Sequence, residues 1–295
     1  MAVLQYLSTG QAVMLNAYRL RTRLAPAFLA VLATFIFAYP FAWMFFSSFK
    51  TNNEIYQPLL FFPSEYESDA YVSLLSGELP SGASLPFSFL EVFSHSILAS
   101  SSQALLATAL TAMAGYAFAK YRFRWKNTLF ALAILVILVP RQALAVPLFE
   151  WLTQLRLNGS LWAIILPGAA SGIGVIFFTQ VFRRIPDSLM DLAQIEGASE
   201  TRTLLVLLPL VAPALVTYGL IHFILSWQEH LFPLLLLSDD NQVLPLALAK
   251  LRDSSYRIPE AVSMAAATCC LLPVAILFAI FHRQIRTALR DFTAH

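Results

Sequence analysis

Two groups of polar side chains interrupt long apolar runs in this sequence. Arg141 and Gln142 lie within LVPRQALAVPLF, and Trp227, Gln228, Glu229 and His230 lie within SWQEHLFPLLLLSD. A charge placed inside a membrane span costs at least ~2.5 kcal/mol on insertion scales, so it turns to a partner or to a watery cavity. Arg141 with Gln142 could line a path for an anionic or polyhydroxylated solute. Arg141 could equally pair with an acid such as Glu229 or reach out to the interface. Trp227 and Glu229 suit a sugar, the indole by stacking and the carboxylate by accepting hydroxyl protons. A tryptophan at the end of a span is also a common interfacial anchor.

Other chemistry finds no constellation to carry it. His95, His222, His230, His282 and His295 are scattered, no H-E-x-x-H or C-x-x-C spacing occurs, and no catalytic group or metal-ligand set stands out. Cys269 and Cys270 are adjacent in an apolar run and read as small packing residues. No G-x-x-x-x-G-K-[ST] loop is present to cradle nucleotide phosphates, so any ATP and Mg would belong to another chain. The sequence therefore predicts no enzyme and no cofactor of its own.

The elements that must position these residues are set by composition. The chain of 295 residues is 58% hydrophobic and 12% charged, about half the charged share of an ordinary soluble domain. This predicts an all-α polytopic protein of the lipid bilayer. The net charge of +2 gives no basis for a nucleic-acid partner. A helix crossing the hydrocarbon core needs about 20 apolar residues. Six runs meet that need: Ala25 to Phe49, Phe93 to Ala119, Asn127 to Trp151, Leu161 to Phe182, Val206 to Leu237 and Ala261 to Phe281. The fifth, with Pro209, Pro213 and Pro233, is expected to be broken or shorter than its run. The third would carry Arg141 inside it, ~21 Å from the edge marked by Asn127.

Charge sets the orientation. Arg19, Arg21 and Arg23 precede the first run, Lys120 to Lys126 separate the second from the third, Arg183, Arg184 and Arg202 follow the fourth, and Arg283, Arg286 and Arg290 follow the last. By the positive-inside rule these segments and both termini are cytoplasmic. The first run is too long for a signal-peptide core, so it is expected to stay as a span. The organisation expected is a cytoplasmic segment 1–24, a first span 25–49, an extracytoplasmic loop 50–92, a five-helix core 93–282 with a loop at 183–208, and a cytoplasmic tail 283–295. The loop after the first span is too short for an independent enzyme.

The segment IPDSLMDLAQIEGASETRTLLVLLP, Ile185 to Pro209, concentrates charge between two apolar runs. Pro186 can open a helix, and Asp187 and Asp191 complement its positive end. Leu189, Leu192 and Ala193 share one face. Gly197 can take the positive φ that ends the helix, and Ser199 can accept from a following N–H to start another. Taken alone, this pair could be an ordinary amphipathic re-entry into the interface.

The residues Asp191-Leu192-Ala193-Gln194-Ile195-Glu196-Gly197, followed by Leu208-Pro209, resemble the E-A-A-x-x-x-G loop of ABC importer membrane subunits. GYAFAKYRFRWKN, LVPRQALAVPLF, VFRRIPDSL and SWQEHLFPLLLLSD are similar to the carbohydrate-uptake branch of that family, and the likeness runs from about Phe93 to the C-terminus. The resemblance implies the type I ABC importer permease fold, with six transmembrane helices and a cytoplasmic coupling helix in the bacterial inner membrane. It also implies a homologous second permease subunit, two ATP-binding cassette subunits that hold ATP and Mg, and an extracytoplasmic solute-binding protein. The solute would be a saccharide or sugar-like molecule, acidic ones such as a uronate oligosaccharide or a polyol phosphate included. Coupling roles carry over to Asp191, Ala193, Glu196 and Gly197, and the solute path would be sought at Arg141, Gln142, Trp227 and Glu229. Two departures stand out: Leu192 replaces a small residue of the family pattern, and Pro209 is one residue closer to the glycine than is usual. The second departure predicts either that the second half of the loop docks differently or that the fifth span begins with an irregular turn. The competing reading is a self-sufficient channel or ion-coupled carrier, which often shows internal repeats; no convincing repeat is present.

Overall fold

The computed structural model describes residues 26–57 and 59–293. The expected N-terminal segment 1–24, with its three arginines, lies outside them. Among the described residues the structure is helical, with no named strand and two isolated β-bridges, Glu78 with Ser84 and Gly159 with Leu237. Among the described residues, four helices are long and apolar enough to cross a membrane, and the number rises to six if two bent pairs each count as one span.

The chain divides into two compact units. The first runs to Tyr71 and includes Pro259–Thr268. Its long helix is α1, Pro26–Ser47, followed by the single turn α2, Asn52–Ile55, with α3, Asp69–Ser76, at its boundary. Thr51 and Glu54 form a capping box at α2, and Glu54 Oε1 also accepts from Ser64 N at 3.1 Å. These donors hold the Glu54 carboxyl below its ordinary value. Lys50 Nζ donates to Leu60 O at 2.5 Å. The segment after α1 is thus an ordered cap built on its own hydrogen bonds.

The second unit is organised around α4, Phe89–Lys120. It is followed by α5, Lys126–Leu138, a 3-10 turn at Arg141–Leu144, α6, Ala145–Gln154, α7, Trp162–Ala169, and α8, Gly172–Arg183. Next come α9, Asp187–Ile195, α10, Glu200–Leu207, a 3-10 turn at Leu208–Val211, and α11, Ala212–Trp227. The series closes with α12, Leu231–Leu236, and α13, Leu244–Leu251; the last helix, α14, Glu260–Thr293, belongs to this unit from Cys269 onward. Helix α4 packs against α7, α8 and α11. In lipid, helices associate by close van der Waals packing rather than by expelling water, which favours small residues at the contacts. Ala104, Ala107, Thr111, Ala112 and Gly115 form such a face on α4. A Cβ on Gly115 would lie 2.5 Å from Phe178 Cβ and 2.7 Å from the Phe178 carbonyl carbon, so the close crossing with α8 requires glycine there. Phe178 and Phe182 are fully buried behind it, with Tyr116 edge-on to Phe182 at 5.4 Å.

Three runs differ from the expectation. The third is not one continuous helix: Lys126–Leu138 and Arg141–Gln154 meet at 99°. Pro140 lacks an N–H and pushes Val139 into extended backbone, φ −77° and ψ 120°, so α5 stops before it. The fourth is bent by 43° between α7 and α8; Pro167 lies in α7, and Ser171 restarts the chain by accepting from Gly174 N at 3.2 Å. The last helix continues past Phe281 to Thr293, so the expected tail from residue 283 begins as helix. The fifth run breaks as expected, into α11 and α12, and the turn containing Pro209 is 3-10.

Candidate functional site

The breaks open a cavity of about 610 Å3 inside the second unit, within the range of small-ligand sites. Two short polar rows face it. Ser96, Ser100 and Gln103 follow one another at helical spacing on α4, and His222, Ser226 and Glu229 continue the same spacing along α11 and past its end. Ser226 Oγ donates to Gln103 Oε1, joining the two rows. His222 Nε2 lies 3.0 Å from Gly168 O, and the Gln103 amide occupies the space where a Gly168 side chain would stand. Ser96 Oγ accepts from Leu244 N at 2.6 Å, which anchors the start of α13 beside the cavity. Trp151, 54% exposed, supplies an aromatic ring to the lining.

Arg141 and Glu229 both line this cavity and pair with each other, Arg141 Nη1 to Glu229 Oε2 at 3.3 Å. Arg141 is not inside a helix, as the sequence predicted, but opens the 3-10 turn just after Pro140. Its guanidinium also lies 5.1 Å from the Phe232 ring centroid. Glu229 Oε1 accepts from His230 N and Leu231 N, each at 3.1 Å, so the carboxylate caps α12 while its other oxygen holds the arginine. Trp227 borders the cavity but is only 6% exposed. Its Nε1 donates to Cys270 O at 3.2 Å, and its ring stacks on Phe223 and meets Phe93 edge-on. Of the two roles open to it, stacking platform or interfacial anchor, the first is thus restricted, because the indole is largely occupied in tying α11 to α14. Gln142 is exposed and does not line the cavity. Sequence reasoning missed Gln103, His222, Ser226 and Trp151. The signal for the first three was their spacing with Ser96, Ser100 and Glu229, because polar residues at i, i+4 and i+7 share one helix face.

The second candidate element is the loop between α8 and α11. Pro186 precedes α9, Gly197 takes φ +79°, and Ser199 Oγ accepts from Arg202 N at 3.4 Å to start α10, as the sequence predicts. Met190 turns inward and is buried in the core with Ile185 and Leu207. The opposite surface leaves Leu192 56% and Ile195 81% exposed, alongside exposed Asp191 and Glu196. Ala193 is half-buried. Lys120 fastens this loop to the bundle: its Nζ donates to Ile185 O at 2.5 Å and to Asp187 Oδ1 at 2.6 Å. Lys120 has only 3% of its side chain exposed. Its hydrogen bond and charge hold the Asp187 carboxyl below the ordinary value.

Residues 107–291 match the family described as binding-protein-dependent transport system inner membrane component. This chain belongs to that family. As a member of this inner-membrane transport family with several apolar helices, it is a multi-pass membrane protein and the permease subunit of a binding-protein-dependent importer. It is 30% identical to the arabinooligosaccharides transport system permease protein AraQ of Halalkalibacterium halodurans, over 87% of this chain and 89% of that one. It is 31% identical to the sulfoquinovosyl glycerol transport system permease protein SmoH of Agrobacterium fabrum, over 85% and 86%. Its fold matches a chain in the crystal structure of a bacterial ABC transporter involved in the import of the acidic polysaccharide alginate. That match has a TM-score of 0.77 and 20% identity, and it covers 91% of this chain and 98% of the other.

Proposed function

We propose that this permease subunit moves a saccharide or sugar-like solute through the cavity between α4, α7 and α11. The observation that carries the reading is the pair of polar rows facing a partly open cavity in an otherwise apolar bundle. Gln103, Ser226, His222 and Ser100 offer neutral donors and acceptors suited to hydroxyl groups. Arg141, beside them and 60% exposed, could also meet a carboxylate or phosphate, so acidic saccharides remain within the class. The names of the relatives support it: AraQ is named for arabinooligosaccharides and SmoH for sulfoquinovosyl glycerol.

In this reading α9 is the coupling helix. Leu192 and Ile195 supply an apolar contact to a partner ATPase, Asp191 and Glu196 flank it with charge, Ala193 permits close approach, and Gly197 sets the bend. ATP and Mg are held by two such ATPases, a homologous permease completes the path, and an external binding protein delivers the solute. The termini and α9 lie on the cytoplasmic side, the segment 50–92 on the other, in the bacterial inner membrane. ATP-driven movement of α9 would pass into the bundle through Lys120 and rock the spans between inward and outward access.

The test is ATP-dependent uptake of neutral and acidic oligosaccharides by vesicles holding the assembled transporter. Gln103→Leu together with Ser226→Ala should cut uptake at least tenfold with assembly intact. Unchanged uptake in that variant removes the cavity from the path. Transport by the isolated chain without ATP would instead establish a self-sufficient channel or carrier.

A further inference from the structure

The turn joining α4 to α5 carries Lys120, Arg122, Arg124 and Lys126, with no acid between them. Two of these cations are used within the fold. Lys120 binds Ile185 and Asp187, and Lys126 Nζ donates to Tyr121 O at 2.8 Å, closing the turn. Arg122 and Arg124 are exposed, and neither forms an ion pair among the described residues. With Phe123, Trp125 and Lys126 they line an open hollow of about 520 Å3 at the start of α5. Trp125 is held at φ 70°, a strained conformation for a bulky side chain; the residue is 63% exposed, with the Arg124 guanidinium 5.5 Å from its ring centroid.

The helix that leaves this hollow is apolar on nearly all sides. Lys126, Phe130 and Ala133 form its one half-buried face, turned to α8, whereas Leu129, Leu132, Leu135 and Val136 are exposed. Two outward arginines and an indole therefore sit at the polar end of an uncovered hydrocarbon surface. That order of groups, cation, aromatic, then apolar helix, complements a lipid whose headgroup carries negative charge.

We infer that this hollow binds the headgroup of an anionic phospholipid, with the phosphate between Arg122 and Arg124, Trp125 at headgroup level and the acyl chains along α5. Two guanidiniums can each donate two hydrogen bonds to phosphate oxygens, which a lone lysine cannot match. The hollow shares no lining residue with the cavity or with α9, and does not depend on the solute.

The probe is phosphatidylglycerol. The full chain, purified in mild detergent with its accompanying subunits, should retain phosphatidylglycerol above its share of the source membrane. Arg122→Gln with Arg124→Gln should lower that retention on the order of tenfold, and high salt should lower it in the wild type. Arg122→Lys with Arg124→Lys should keep an intermediate amount. Wild-type protein without enrichment overturns the inference and requires no variant. Undiminished retention in the glutamine variant overturns it too, as does displacement of the lipid by millimolar inorganic phosphate. Loss of subunit association by the glutamine variant in phosphatidylcholine nanodiscs would assign the hollow to an acidic protein partner instead.

Discussion

Arg141 Nη1 and Glu229 Oε2 meet at 3.3 Å across two separate breaks in the bundle, one made by Pro140 after α5 and one between α11 and α12. With Arg141 60% exposed, a solvent-reached pair of this kind contributes only about 0–1 kcal/mol. Its importance is geometric, because each partner stands where a helix has stopped and Glu229 also caps the next one. Glu229→Gln should keep the cap, since an amide oxygen still accepts, and lose the charge. Uptake is expected to fall severalfold with normal membrane levels, whereas Glu229→Ala should also lower thermal stability of the purified transporter. Equal stability for the two variants would show that the cap contributes nothing.

Gly168 lacks a side chain where the Gln103 amide lies. Gly168→Ala should displace the end of that flexible side chain and break its bond with Ser226 without disturbing the backbone. The expected outcome is a severalfold rise in the solute concentration for half-maximal uptake, with expression unchanged. Gly115→Ala should behave differently, because the added carbon meets the Phe178 backbone at 2.7 Å. There the readout is loss of folded protein in detergent extracts.

Lys120 bridges α4 to the start of α9 through Ile185 O and Asp187. Lys120→Ala should leave ATP hydrolysis by the assembled transporter running while uptake drops about tenfold. Simultaneous measurement of both rates checks this; a proportional fall in the two would contradict it. The Asp187 carboxyl is held low by this lysine. The stability it contributes is complete above the unfolded value of about 3.9 and is lost as pH falls through the lowered folded value. Uptake through this link should therefore be flat from pH 5 to 8, and Asp187→Asn should weaken it throughout that range.

Gly197 has φ +79° and open space where a Cβ would stand. Gly197→Ala costs conformation rather than volume, roughly 1–2 kcal/mol. The expected effect is looser ATPase binding in co-purification, with folding of the bundle preserved. Ile195→Asp, at an 81% exposed position, should weaken the same association more strongly and leave the purified subunit's stability unchanged.

Much of this protein was legible without coordinates. The apolar runs required membrane helices, because an unpaired backbone group in lipid costs several kcal/mol and only a helix satisfies it locally. Pro186, Gly197 and Ser199 encoded the α9–α10 pair through backbone rules that act over a few residues. The possibility of an Arg141–Glu229 pair could be stated, since a charge inside a membrane span demands a partner or a watery cavity. Other features depended on residues far apart in sequence. Trp227 could be read from the sequence as a stacking platform or as an interfacial anchor; only the structure shows its indole engaged by Cys270, Phe93 and Phe223. Lys120 looked like one more cytoplasmic charge, but it is the buried fastening of the loop.

The sequence by itself determined the class of element, the membrane as solvent and the loop's local geometry, because hydrophobic length, proline and glycine act through neighbouring residues. Only the tertiary structure decided that the third run turns by 99°, that Gln103 meets Ser226, and which polar residues share one cavity. Those outcomes depend on how closely whole helices approach. That distance is set by side chains such as Gly115 and Phe178, which contact each other only after the chain has folded back on itself.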